Sequence, residues 1–424
     1  MKGALRDGSW AAKAKALDHY RWRLLRERHG VLGSAARFVR DALADWWYGW
    51  RAKYRLATVV RAEACDFLLL QSASKVIKLQ RKRLLIEALR SRGHALIETA
   101  LKEPSAILRE RQLRRPPCAV PTRYFGYAAH AQWLEERYRP RVLLNDRNGS
   151  LYSPFLRLAL NARGASLVHL AHATTVEGSR RLSMNDYDYY FLFGQSSLEA
   201  LQRRALRFGS STAVLAGSHM IDRTYDLPPA DPSLRTLLVL GVGPDKEKEP
   251  GYQATYQLLK DWAAQHPEFR VLIKAHPRSH VPFWVQAATE LPHLEVLPKE
   301  CSLASALERA FLVVNIMSNA VIEAALACRP ILYVNLSGDH DIFEQERFFG
   351  PGLTSVAAVQ ARAGELLGNP QLGIQQAEQF AEFHLCQGSR GLEVNIDLLE
   401  RLLNGLACPG TPLPATSIAS SSRP

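Results

Sequence analysis

Three groups able to bind an anion follow one another at the end of a predicted strand. The segment FRVLIKAHP has the apolar character of a buried strand, and Lys274, His276 and Arg278 stand at or just beyond its carboxyl end. Pro277 restricts the backbone beside the imidazole and so holds the ring where the strand ends. This pattern predicts a phosphate-binding site, with an ordinary strand end carrying basic surface residues as the alternative. A second His-Pro pair, ten residues earlier, ends a predicted helix and is interpreted as structural.

Two further strand-to-helix turns carry residues suited to a nucleotide. Ser318 and Asn319 follow the predicted strand FLVVNI, and Ser318 is the expected N-cap of a helix whose free N–H groups form an anion site. Glu323, on the first turns of that helix, can accept two hydrogen bonds from a ribose diol. A plain cap and a favourable charge near a helix N-terminus are the alternatives. Gly241 and Gly243 allow backbone amides to approach a pyrophosphate, or they form a simple turn.

The first half of the chain contains candidate bases. Asp146 follows the predicted strand RVLLN and opens a loop. A carboxylate in this position can take the proton of an attacking hydroxyl group, whereas an Asx-turn or a helix cap is the structural alternative. Glu177 is a further candidate base.

The elements that must position these residues alternate between strands and helices in two similar halves. Strand, helix, glycine and strand follow each other from Cys65 to Leu101, which is a βαβ unit, and the pattern recurs to about residue 335, after which helices are predicted. The sequence therefore predicts an α/β fold of two Rossmann-like domains facing a cleft. Ligands bind at the carboxyl ends of the strands in such sheets. The predicted segments are a helical extension, a first domain, a Pro-rich linker, a second domain and a disordered tail, over 1–61, 62–225, 226–233, 234–407 and 408–424.

Composition excludes several classes of protein. The 424 residues are 47% hydrophobic and 22% charged, which is typical of a globular protein of two domains. The sequence contains no transmembrane stretch and no signal peptide. Six scattered cysteines without a CxxC pair indicate neither a disulfide framework nor a zinc site. We expect a cytoplasmic protein.

Residues 1–61 carry much of the positive charge of the chain. They hold fourteen Lys and Arg residues against five Asp and Glu, and five of the eight tryptophans. Apolar residues from Phe38 to Trp50 recur at helical spacing with arginines between them. Such a helix suits the surface of an anionic membrane. A helical extension packed on the body of the protein is the alternative, and the sequence has no nucleic-acid-binding motif.

The spacing of these motifs in the second half resembles the donor domain of glycosyltransferase-B (GT-B) enzymes of bacterial capsule and lipopolysaccharide synthesis. The likeness covers roughly 234–340, and it is greatest to enzymes with cytidine-linked donors, such as Kdo transferases, sialyltransferases and polysialyltransferases. It implies that His276 and Pro277 are the HP motif of these enzymes, that Ser318 contacts phosphate, and that Glu323 contacts ribose or base. It also makes His172 a candidate catalytic residue. Asn319 departs from the family, in which a Ser-Ser pair is common.

The resemblance implies transfer of a sugar from a nucleotide donor, with no resident cofactor and no bound metal. We expect an acidic sugar such as Kdo or sialic acid from a CMP donor, and a cell-surface polysaccharide or lipopolysaccharide as acceptor. The alternatives are a CDP-glycerol or CDP-ribitol phosphotransferase, a sugar-nucleotide epimerase, and a non-catalytic basic scaffold. Residues 1–61 are expected to meet the inner face of the bacterial inner membrane.

Overall fold

The computed structural model describes residues 8–174 and 179–416. The chain divides into two compact units. Unit 1 runs to Met220 and resumes at Leu392, and unit 2 comprises Ile221–Gly391. Unit 2 is therefore an insertion between two parts of unit 1.

The first part of unit 1 begins with two long helices and continues with alternating strands and helices. Its elements are α1 (Gly8–Arg26), α2 (Val31–Lys53), β1 (Phe67–Gln71), α3 (Ser74–Lys78), α4 (Arg83–Ser91), β2 (Leu96–Ala100), α5 (Pro104–Arg109), α6 (Thr122–Tyr138), β3 (Val142–Asn145), α7 (Ser153–Asn161), β4 (Ser166–Leu170), β5 (Tyr189–Leu192), α8 (Gln195–Gln202) and β6 (Ser211–Leu215).

Unit 2 repeats the alternation, and the chain then returns to unit 1 for one helix and one short strand. These elements are β7 (Thr236–Leu240), α9 (Pro250–Gln265), β8 (Arg270–Lys274), α10 (Pro282–Glu290), β9 (Leu294–Val296), α11 (Leu303–Glu308), β10 (Leu312–Asn315), α12 (Val321–Leu326), β11 (Ile331–Tyr333), α13 (Gln345–Phe349), α14 (Val356–Gly368), α15 (Pro370–His384), α16 (Gly391–Leu403) and β12 (Thr411–Leu413).

Each unit is built on one sheet. Within the described residues, the sheet of unit 1 has the order β12-β6-β5-β4-β3-β1-β2, and that of unit 2 has the order β11-β10-β7-β8-β9. All neighbours are parallel except β12, which runs antiparallel to β6. The strands are rich in Leu, Val and Ile because both faces of a parallel sheet are covered by helices. Their side chains form a separate hydrophobic core in each unit.

Residues 8–53 form part of unit 1 instead of a separate extension. Trp10 is fully buried and its ring stacks on that of Phe155, with centroids 5.9 Å apart. Helix α2 packs along α6. The contact is so close that a Cβ atom at Gly49 would lie 1.7 Å from the carbonyl oxygen of Thr122.

The end of the chain differs from the prediction in two places. Helix α16 contributes Ile396, Leu399 and Leu403 to the core of unit 1, although its sequence was assigned to the second domain. Residues 411–413 pair with β6, so the prediction of disorder from residue 408 is wrong over this stretch. Backbone pairing and burial of Leu413 order a segment whose composition is polar and Pro-rich.

In the described part of the chain, no helix combines the length and the apolar character that crossing a bilayer requires.

Candidate functional site

The predicted donor-binding residues of unit 2 follow three strands that are neighbours in its sheet. Strand β7 lies between β10 and β8, and all three are parallel. The carboxyl ends of these strands therefore lie at the same edge, where open α/β sheets bind ligands. Gly241 follows β7, His276 follows β8, and Ser318 follows β10.

Gly241 lies directly against the chain that leads to His276. Its N–H donates to the carbonyl oxygen of Lys274 at 2.9 Å. A Cβ atom on Gly241 would lie 3.0 Å from the backbone nitrogen of His276. This contact tolerates a side chain only if the neighbouring loop shifts. Gly243 lies in the same loop, with a guanidinium nitrogen of Arg278 3.9 Å from the position of its missing Cβ.

The loop after β8 orients the imidazole of His276. The ring Nδ1 accepts the backbone N–H of Arg278 at 3.2 Å, which assigns the proton of the neutral ring to Nε2. Burial and the Arg278 charge lower the pKa of His276, while Glu247 opposes the shift. The neutral ring therefore presents an N–H donor at pH 7. Pro277 and Arg278 are exposed beside it, and Lys274 is half-buried.

Glu247 and Ser279 brace the two loops and were not identified from the sequence. The Ser279 hydroxyl donates to Oε2 of Glu247, and it accepts the N–H of Val281 at 3.0 Å. Oε1 of Glu247 is buried without a hydrogen-bond partner in the described part of the chain. No motif distinguishes these two residues, because the contact joins positions 32 apart that only the fold brings together.

Ser318 is half-buried, and its side chain does not cap the following helix, contrary to the expectation. Helix α12 begins at Val321 with Ala320 as N-cap, and no side chain makes a capping bond. The N–H of Ser318 instead donates to Oδ1 of Asn315 at 3.0 Å. Asn315 is held by Gln345, a buried pair that determines the path of this loop. Asn319 is exposed in the turn.

Glu323 lies on the first turn of α12 and is half-buried. Burial raises the pKa of its carboxyl group to about 7, and a hydrogen bond from its own backbone N–H opposes the shift. The carboxyl group can therefore change between neutral and charged forms near neutral pH. Its charge also contributes to the raised pKa of Tyr225, next to burial as the larger cause.

Unit 1 contains a second polar cluster, which includes Asp146. Asp146 is buried after β3, and its Oδ2 lies 3.0 Å from Nζ of Lys82, which is also buried. Asp146 therefore forms an ion pair and is neither an Asx-turn residue nor a helix cap. Its Oδ1 is buried without a hydrogen-bond partner among the described residues. Such an atom in a folded protein indicates a place for water or a ligand.

His169, in the neighbouring strand β4, extends this cluster. Its Nδ1 accepts from Nδ2 of Asn145 at 3.0 Å, and its Nε2 then donates to Oδ1 of Asn148 at 2.8 Å. Full burial, followed by the charges of His172 and Lys82, lowers the pKa of His169 well below its ordinary value. The ring is therefore a neutral, fully bonded support for the loop that carries Asp146.

His172 and His219 complete what we call the unit 1 cluster: Lys82, Asp146, His169, His172 and His219. His172 is exposed after β4, and His219 is buried after β6 with Nε2 unpaired among the described residues. Burial, then the charges of Lys82 and His172, lowers the pKa of His219 well below its ordinary value. Glu177 lies outside the described residues.

Asp146 and His172 of this cluster were identified from the sequence, whereas Lys82, His169 and His219 were not. His219 had a signal, since it comes four residues after the end of β6, as His172 comes two residues after the end of β4. Lys82 had none, because it lies in a run of basic residues between two short helices, where a surface position is the usual outcome.

The described residues contain no group of three or more His, Cys, Asp or Glu side chains arranged to hold a metal ion. Asp339, in the Asp-His-Asp sequence that could chelate, instead accepts from Nζ of Lys246 and from the hydroxyl of Tyr252, each at 2.7 Å.

No protein-family profile matches the chain, and no curated protein has significant sequence similarity to it. Solved structures do match. A protein assigned as a UDP-N-acetylglucosamine 2-epimerase from Listeria monocytogenes aligns with 82% of this chain and 99% of its own, at 13% identity and a TM-score of 0.51. Two further solved structures are less similar. The glycotransferase of kitacinnamycin aligns with 79% of this chain and 98% of its own, at 14% identity and a TM-score of 0.49. MurG of Acinetobacter baumannii aligns with 79% of this chain and 99% of its own, at 14% identity and a TM-score of 0.46.

The match to the Listeria structure at this identity concerns the fold alone. The chain has the GT-B fold, with two Rossmann-like domains, and this confirms the predicted fold class.

Proposed function

We propose that this chain is an enzyme that uses a nucleotide-activated sugar and that its reaction is glycosyl transfer. The observation that carries the proposal is the approach of the Gly241 loop to the His276 loop at adjacent strand ends. Backbone amides, the Nε2–H of His276 and the guanidinium of Arg278 are the donors that a diphosphate or monophosphate ester requires. Glu323 after β10 adds an acceptor for ribose hydroxyls.

In the proposed reaction, unit 2 binds the nucleotide and stabilises the negative charge of the departing phosphate. Fixed N–H donors and cations directed at that charge are the usual means of lowering such a barrier. The unit 1 cluster supplies the groups for proton transfer from the acceptor hydroxyl, with Asp146 as base. Lys82 holds the carboxylate in place through the ion pair.

For the donor, we propose an acidic sugar linked to CMP, such as Kdo or sialic acid, and for the acceptor a cell-surface polysaccharide or lipopolysaccharide. The support for this choice is the resemblance of the motifs around His276, Ser318 and Glu323. A CDP-glycerol or CDP-ribitol phosphotransferase uses the same donor groups and would also release CMP, but it would transfer the polyol together with one phosphate in place of a sugar.

An epimerase is the second candidate, favoured by the similarity of the fold to the Listeria structure. The two reactions differ in what they consume. An epimerase converts a nucleotide sugar on its own, whereas a transferase leaves it intact until an acceptor is added and then releases the nucleotide.

The proposed nucleotide site is tested with His276→Ala. Binding of CMP, CDP, UDP and GDP to the full chain is measured by calorimetry, and the variant is then compared on the nucleotide that binds most tightly. Loss of a hydrogen bond to a charged phosphate costs about 1.5–3 kcal/mol, which weakens binding about 10- to 150-fold.

The matched control is His266→Ala, which removes the other His-Pro histidine. His266 lies at the end of α9, beside Glu268 at 3.2 Å. We expect its nucleotide affinity to equal that of the parent chain. Equal affinity of a folded His276→Ala variant would overturn the site, and absence of binding by all four nucleotides would overturn the enzyme class.

A further inference from the structure

The polar and apolar faces of helix α2 are reversed relative to those of an ordinary surface helix. With 3.6 residues per turn, Asp41 and Asp45 fall on the face toward α6, while the large apolar residues fall on the opposite face. A helix that packs by burying an acid and exposing tryptophans does not gain its stability from an apolar seam alone. The exposure of large apolar residues on its outward face is therefore not explained by the packing of α2 on unit 1.

The inward face of α2 is held by polar contacts and a close helix crossing. Asp45 is buried, and its carboxylate binds Nη1 of Arg21 at 2.5 Å and the hydroxyl of Tyr127 at 2.7 Å. Tyr48 is also buried and donates its hydroxyl to the carbonyl oxygen of Gly126. These contacts fix which side of the helix faces outward.

The outward face carries a continuous line of apolar side chains over about 30 Å. We call it the α2 aromatic stripe: Leu32, Val39, Leu43, Trp46, Trp47, Trp50 and Tyr54. Trp46 and Trp47 are 47% and 54% exposed, and Leu43 is 63% exposed. Single exposed apolar residues are common on proteins, but seven on one helix face mark an interaction surface.

The aromatic rings of the stripe support each other in this exposed arrangement. The centroids of Trp47 and Trp50 are 5.1 Å apart and those of Trp46 and Trp50 are 6.5 Å apart, in both cases near parallel. Tyr54 meets Trp50 edge to face at 5.3 Å. Indole and phenol rings combine an apolar body with a polar N–H or O–H, and this suits them to the headgroup region of a bilayer.

Positive charge flanks the stripe. By helical spacing, Arg40 and Arg51 lie along one side of it and Lys53 along the other, and all three are exposed. The acids of α2 lie away from the centre of the stripe, where Asp45 pairs with Arg21. Asp41 pairs with Arg40 itself at 2.8 Å, so Arg51 and Lys53 are the main cations at the two edges. An anionic surface thus meets cations at both edges of the stripe and aromatic rings between them.

We propose that the α2 aromatic stripe docks this protein on the surface of a bilayer that contains anionic lipids. The helix lies parallel to the membrane, with its tryptophans at the boundary between headgroups and acyl chains and its cations at lipid phosphates. The opposite face of α2 stays on α6. This inference stands independently of the proposed function, since it uses only residues of α2 and their neighbours in unit 1.

The test is co-sedimentation of the full chain with vesicles of phosphatidylcholine alone or with added phosphatidylglycerol. We expect binding to the anionic vesicles that decreases with salt. Trp46→Ala, Trp47→Ala and Trp50→Ala combined should lower the partition coefficient at least tenfold with an unchanged melting temperature, because these side chains are outside the core. Arg51→Gln alone should lower it about fivefold.

The matched control replaces three exposed apolar residues elsewhere, with Val59→Ala, Val285→Ala and Leu406→Ala combined. It should bind vesicles as the parent chain does. Equal vesicle binding by the tryptophan variant would overturn the proposal. The proposal would also be overturned if the parent chain does not bind vesicles but self-associates through the stripe. Sedimentation equilibrium would then show self-association of the parent chain that the tryptophan variant has lost. Nucleotide binding by the tryptophan variant should be unchanged, so failure here is distinct from failure of the His276 site.

Discussion

At the scale of single residues, the Lys82–Asp146 pair combines a structural and a chemical role that substitutions can separate. Removing one partner leaves a buried charge unpaired and lowers the free energy of unfolding by about 3–5 kcal/mol, whereas replacing both partners with apolar residues often leaves stability unchanged. We expect the Asp146→Asn variant to be less stable than the parent chain and its turnover to be at least about 100-fold slower.

The double variant Lys82→Met with Asp146→Leu should regain much of the stability but none of the turnover. Urea unfolding and steady-state turnover on the same preparations make the comparison. Recovery of turnover together with stability would restrict the pair to a structural role.

The raised pKa of Glu323 predicts that the stability of the folded chain depends on pH. Its pKa is raised from 4.5 to about 7 in the folded chain, so the folded state binds this proton more tightly than the unfolded state. The contribution of Glu323 to the free energy of unfolding therefore falls as pH rises between these values, by about 1–3 kcal/mol, and is constant above pH 7.

Glu323→Gln cannot ionise. It should match the parent chain near pH 4 and be more stable at pH 8, as measured by urea unfolding at both values. The same variant should bind nucleotide more weakly if Glu323 accepts ribose hydroxyls. A stability difference that is the same at pH 4 and pH 8 would contradict the raised pKa.

At the scale of elements, the alternation of strands and helices was predictable because each strand of a parallel sheet is a short apolar run with a turn at its end. The strands β3, β8 and β10, for example, lie within the predicted segments RVLLN, FRVLIKAHP and FLVVNI. Strand β12 was not predictable, since only three residues pair at an edge and they lie in a polar, Pro-rich stretch. The sequence does not show that α16 belongs to unit 1, because the spacing of its apolar residues fits either core.

The candidate site was predictable where chemistry lies next to a strand end, as with His276, Asp146 and Gly241. It was not predictable where the partner is distant in sequence. Glu247, Gln345 and Lys82 reach their partners only through the fold. The face that α2 would present was also undetermined, because the same spacing places apolar residues inward in most helices.

At the scale of the whole molecule, the two units differ in continuity. Unit 2 is one uninterrupted segment with its own core, while unit 1 is built from segments that precede and follow unit 2. We expect the fragment 221–391 to fold alone, to unfold cooperatively, and to bind the nucleotide of the full chain within about tenfold of its affinity.

Circular dichroism of the melting transition and calorimetry with the nucleotide are the measurements. His276→Ala within the fragment should weaken binding as it does in the full chain. A fragment that folds but binds no nucleotide that the parent chain binds would show that unit 1 contributes essential contacts.

The division of unit 1 also has a consequence for synthesis on the ribosome. Nascent chains lengthen at about 5–20 residues per second, so the inserted unit takes roughly 10–35 s to emerge. During that time the first six strands lack α16, whose leucines belong in their core. The unit that begins second is thus completed first. A translation stop just after residue 391 leaves a folded unit 2 tethered to an open, aggregation-prone sheet, so we expect the synthesis of α16 to be the step at which this protein depends most on chaperones.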